Sequence, residues 1–144
     1  MNSPAPAQKK SNKETVLVVD DELGPRESLR MILKPFYEVQ TASDGYEALR
    51  LIGDWKFDVV TLDLKMPGLS GIDVLKEIKK TRPDTEVIVI TGYGSLENAS
   101  DALRWGIGEF ISKPFNVSEI ISTVAKSLER RNCNSKLKSL LEST

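Results

Sequence analysis

Two carboxylates, Asp20 and Asp21, stand side by side in "VVDDE" at the end of the apolar run Val16, Leu17, Val18, Val19. Adjacent like charges raise each other's cost of ionisation unless a cation or cationic side chain shares the space. Further along, Asp63, Thr91 and Lys113 each close a short apolar stretch of their own. Three carboxylates, a hydroxyl and an ammonium form the inventory for binding a hard divalent cation and handling a phosphoryl group. Magnesium prefers oxygen ligands, keeps several waters and takes one or two carboxylates plus phosphate oxygens. Mg²⁺ would let Asp20 and Asp21 stay ionised together, with Lys113 as a second positive charge. Asp63 is then the candidate nucleophile, because a carboxylate can accept a phosphoryl group as an acyl phosphate.

These residues can meet only if the elements bring their ends together. Val16 to Val19, Phe57 to Leu62 and Val87 to Ile90 are β-branched, mostly apolar runs, as expected of strands covered on both faces of a parallel sheet. "YEVQTA" from Tyr37 alternates polar and apolar residues and suits an edge strand, and "GEFISK" reads as a short fifth strand at the other edge. Helical stripes lie between them. Pro25 fits a first turn, Leu29, Ile32 and Leu33 line one face, and Pro35 stops the helix. Ala48, Leu49 and Ile52 mark a second helix, and Ile72, Leu75 and Ile78 a third closed by Pro83. Leu96, Ala99, Ala102 and Leu103 mark a fourth ended by Gly106, and Val117, Ile120, Ile121, Val124 and Leu128 a fifth. Strict alternation predicts a doubly wound α/β domain with right-handed crossovers and five parallel strands in the order 2-1-3-4-5. Sites in that fold form beyond the carboxyl ends of the strands, at the switch in winding direction between strands 1 and 3. "VVDDE" ends there.

Composition narrows the chemistry. The chain of 144 residues, 40% hydrophobic, suits one domain with tails: residues 1–14 disordered, 15–130 folded, 131–144 a linker or helical tail. The net charge of −1 is unevenly spread, because residues 1–14 carry three Lys and one Glu and residues 126–144 carry five basic and two acidic groups. The body is therefore acidic, which argues against direct nucleic-acid binding by it. There is no His, so imidazole general-base chemistry and His-ligated zinc are excluded, and the single Cys133 excludes an internal disulfide. No segment approaches the roughly 20 apolar residues of a membrane span, and the amino terminus lacks the apolar stretch of a signal peptide, so a cytoplasmic setting is expected.

"VLVVDDE", "DLKMPGLSG", "VITGYGS" and "EFISKPF" together resemble the receiver domain of two-component response regulators, over roughly residues 15–130. The resemblance implies that Asp63 accepts phosphate from the phosphohistidine of a partner sensor histidine kinase. It implies that Asp21, Asp63 and the main-chain carbonyl of Lys65 ligate Mg²⁺, that Asp20 helps through water, and that Thr91 and Lys113 bind the phosphoryl oxygens. Phe110 falls at the family's aromatic switch position, and the Lys113–Pro114 bond is one usually found cis. The face of helix 4, strand 5 and helix 5 would carry the signal to a downstream output domain or protein, with pairing into a homodimer left open. Lys65 and Tyr93 would flank the path of a hydrolytic water, and "ITGYGS" is similar to receivers that precede ATPase-type transcription activators.

Plainer readings stand beside these. Asp20 or Asp21 alone suits a loop carboxylate capping the first helix, and Asp63 alone a turn residue before Pro67 and Gly68. Lys113 alone suits a structural ion pair, and Phe110 simple core. An aspartyl phosphatase is disfavoured because the D-x-D arrangement after strand 1 is missing. A phosphorylation-independent pseudo-receiver is disfavoured because every acidic and Lys position is filled. After Leu128 the stripe breaks at "ERRNCNSK" and resumes at Leu137, Leu140 and Leu141, which reads equally as a continuing helix or a frayed tail.

Overall fold

A computed structural model describes residues 13–92 and 96–143, with side chains at 96–98 not described. Residues 1–12 of the amino-terminal tail and the loop residues Tyr93 and Gly94 lie outside those residues. The order of elements is β1 (Thr15–Val19), α1 (Leu23–Leu33), β2 (Glu38–Ala42), α2 (Gly45–Asp54), β3 (Val59–Leu62), α3 (Gly71–Thr81), β4 (Glu86–Thr91), α4 (Leu96–Arg104), β5 (Glu109–Ser112) and α5 (Val117–Glu142). All neighbouring strands pair in parallel, and the order is β2-β1-β3-β4-β5. The expected order and both edge strands are borne out.

Alternation along each strand feeds two cores. Leu17, Val19, Val60, Leu62, Val87 and Val89 face α2, α3 and α4, where they meet Ala48, Val74, Leu75, Ile78 and Ala102. Val16, Val18, Val59, Ile88, Ile90 and Ile111 face α1 and α5, where they meet Leu29, Leu33, Ile120 and Val124. Strands buried on both sides have no polar alternation to show, which is why β1, β3 and β4 read as continuous apolar runs.

Local chemistry marks an end of four of the helices. Asp44, Ser70 and Asn116 accept hydrogen bonds from the backbone N–H three residues on and so cap α2, α3 and α5. Gly106, at φ 81, follows α4. Strand ends shift from the sequence reading by one or two residues. β3 begins at Val59, because Asp58 is already engaged with the Thr15 backbone across the sheet end. Of the two readings given for residues 131–144, the continuing helix is the one present: α5 runs unbroken to Glu142.

Candidate functional site

Register decides which residues converge. Val19 pairs with Leu62, so Asp20 and Asp63 leave adjacent strands at one level, and Asp63 N donates to Val19 O at 3.1 Å. Thr91 pairs with Ser112, and Lys113 N donates to Thr91 O at 3.0 Å, which brings the fifth strand's end alongside. Each residue is therefore delivered by a strand end rather than by a flexible loop.

The side chains complete the cluster. Lys113 Nζ lies 2.6 Å from Asp20 Oδ2 and 2.8 Å from Asp63 Oδ2. The Thr91 hydroxyl donates to Asp63 Oδ1 at 2.8 Å, and the Lys65 amide donates to the same oxygen at 3.1 Å. Asp20 Oδ1 accepts from the Glu22 amide at 2.9 Å, so Asp20 both shapes the turn into α1 and faces the ammonium. Asp20 and Asp63 are buried, at 2% and 3% exposure. Burial opposes the charge on Lys113, but the hydrogen bonds it donates to Asp20 and Asp63 outweigh it and hold its pKa above the ordinary lysine value.

Carboxylate oxygens of Asp20, Asp21 and Asp63 all lie within 4.8 Å of one another. Three carboxylates against one ammonium leave the cluster negative, and its donors are all oxygen, so it suits a hard divalent cation. The expected site residues Asp20, Asp21, Asp63, Thr91 and Lys113 thus share one crevice. Phe110 does not: it is half-buried against the core on the α2–α4 face. The Lys113–Pro114 bond is cis.

Three neighbours escaped the sequence reading. Glu22 Oε1 approaches Lys113 Nζ to 3.8 Å, and Arg26 donates to the Asp20 carbonyl at 2.9 Å. Their only signal was proximity to the acidic pair. Gly71, first residue of α3, sets its backbone against that of Asp63: a Cβ there would lie 2.2 Å from the Asp63 carbonyl oxygen. Nothing local in the sequence announces such an approach.

A family profile for the response regulator receiver domain matches residues 16–125. The chain belongs to that family. The receiver is 35% identical to regulatory protein AtoC of Escherichia coli over 129 residues, which cover 87% of this chain and 27% of AtoC. It is also 35% identical over 116 residues to sporulation initiation phosphotransferase F of Bacillus subtilis, covering 80% of this chain and 94% of that protein. A CheY-like receiver domain from Methanospirillum hungatei superposes with a TM-score of 0.84 at 31% identity, covering 85% of this chain and 99% of that one. The receiver thus spans about a quarter of AtoC and nearly all of the other two. Receivers are signalling modules of two-component systems, and among the described residues no helix is long and apolar enough to cross a membrane.

Proposed function

We propose that this receiver is a phosphoacceptor switch in which Asp63 takes a phosphoryl group from the phosphohistidine of a sensor histidine kinase. The observation that carries the reading is the setting of Asp63: a buried carboxylate held by the Thr91 hydroxyl and the Lys113 ammonium beside two further carboxylates. One Asp63 oxygen attacks phosphorus in line, the P–N bond of the donor breaks, and the imidazole leaves with a proton. The spread negative charge of such a transfer needs positioned cations more than covalent help.

Asp21, Asp63 and the main-chain carbonyl of Lys65 would hold Mg²⁺, with Asp20 reaching it through water. The ion, when bound, supplies positive charge at the phosphoryl oxygens. Lys113 supplies the protein's own cation to the same oxygens, and Asp20 keeps that ammonium in place. Thr91 already donates to Asp63 and is positioned to follow the new acceptor oxygens, which carry up to about two negative charges. That pull, with Phe110 turning, would bias the α4–β5–α5 face between two arrangements read by an output domain or partner protein. The domain would work in the cytoplasm, through residues 15–130, without turning over a substrate of its own.

The test is intact-mass spectrometry after incubation with acetyl phosphate and Mg²⁺. One added phosphoryl group on the native chain, lost in Asp63→Asn and in EDTA, is the expected result. A chain that gains none, or an Asp63→Asn variant that gains it equally, overturns the reading.

A further inference from the structure

Only the first half of α5 packs on the domain: Ile120, Thr123, Val124, Ser127 and Leu128 are buried, whereas every residue from Asn132 to Glu142 is exposed. Between the two stretches, polar contacts tie the helix to the domain. Arg130 Nε donates to Glu86 Oε1 at 2.9 Å, and its Nη2 donates to Ser127 Oγ at 3.3 Å. Arg131 Nη1 lies 3.1 Å from Asp58 Oδ1, and Asn132 Nδ2 donates to Glu14 Oε2 at 3.3 Å. Asp58 is itself fixed, its Oδ2 accepting from the Thr15 amide at 2.8 Å. Both acidic side chains facing the arginines are largely buried, at 15% for Glu86 and 11% for Asp58, so these pairs are screened less than surface ones. Gly108 makes the room: a Cβ there would lie 2.3 Å from Arg130 Nη2 and 2.8 Å from Glu86 Oε1.

The three acceptors share a placement. Glu14 precedes β1, Asp58 precedes β3 and Glu86 opens β4. The same three strands lead at their carboxyl ends to Asp20, Asp63 and Thr91. A short exposed helical stretch is marginal by itself, so its direction depends on how its base is held. We propose that Arg130, Arg131 and Asn132 clamp α5 to the amino ends of the strands that carry the acidic site, making residues 133–142 a lever of fixed bearing that presents Leu137, Leu140 and Leu141 away from the domain. The inference is independent of whether Asp63 takes a phosphoryl group.

Cys133 is the sole cysteine and is exposed, so a nitroxide placed on it reports from the first turn beyond the clamp in the otherwise unaltered chain. Its electron paramagnetic resonance line shape is compared in the native sequence, in Gly108→Ala and in Arg130→Ala/Arg131→Ala, with near-UV circular dichroism checking native packing. A slow, ordered spectrum in the native chain and severalfold faster local motion in both variants is expected. The methyl at position 108 evicts the guanidinium while leaving α5 itself untouched, so Gly108→Ala decides the matter if the double variant fails to fold. A control nitroxide on α2, at Arg50→Cys in a Cys133→Ser background, should not change. An unaltered Cys133 spectrum in folded Gly108→Ala, a native spectrum as mobile as the variants, or equal loosening at position 50 would each overturn the clamp.

Discussion

Lys113 holds two buried carboxylates at once, and its role as a structural ion pair and its proposed role toward a phosphoryl group use the same atoms. Removing it would leave Asp20 and Asp63 facing each other and Asp21 without a protein cation between them. Breaking a buried pair from one side costs more than the pair itself is worth. In metal-free buffer, Lys113→Met should therefore lower the stability measured by urea unfolding by about 3 kcal/mol. The pH dependence follows from the raised pKa of Lys113, where burial lowers it but the hydrogen bonds the ammonium donates to Asp20 and Asp63 outweigh burial. A group whose folded pKa exceeds its unfolded value contributes fully below the unfolded value, about 10.4 for lysine, and loses that contribution as pH climbs through the folded one. Urea midpoints taken across the alkaline range should fall more steeply in the native chain than in Lys113→Met. The two oxygens of Asp20 likewise serve different partners, one accepting from the Glu22 amide at the turn into α1 and the other from the Lys113 ammonium.

The elements that deliver these residues were legible because strand and helix periods alternate cleanly and a polar side chain ends or directly follows each strand. Val16–Val19 and Val87–Ile90 could hardly be anything but covered strands, and the polar alternation of β2 marked it as an edge. What sequence could not reveal is contact across distance. The stripe of α5 breaks at "ERRN" not because the helix stops but because its inward face changes from apolar burial to ion pairs with Glu86 and Asp58, far away in the chain. Gly71 is the same kind of case. Because its missing Cβ would strike backbone, at 2.2 Å from Asp63 O and 2.5 Å from Leu64 Cα, neither neighbour can swing aside. Gly71→Ala should cost about 2 kcal/mol by overpacking and slow phosphoryl uptake from acetyl phosphate, read by urea unfolding and an intact-mass time course. Gly24→Ala, where nothing lies within 4 Å, should do neither.

At the scale of the molecule, the body is acidic and its ends are basic, and three of the body's carboxylates, on Asp20, Asp21 and Asp63, are gathered where a cation would be held. A ligand that binds only the folded chain stabilises all of it. Mg²⁺ at about a hundred times its dissociation constant should add about 2.7 kcal/mol and raise the melting temperature by several degrees, measured at constant ionic strength against KCl. Asp21→Asn should abolish most of that gain. The unbroken path of α5 past the clamp has a further consequence for anything joined beyond it. An α-helix turns about 100° and advances about 1.5 Å per residue, so one residue inserted after Asn132 would swing the downstream cargo by more than a quarter of a circle. Chimeras made at this junction should then succeed or fail by rotational phase, with insertions near whole turns tolerated and half-turn insertions not.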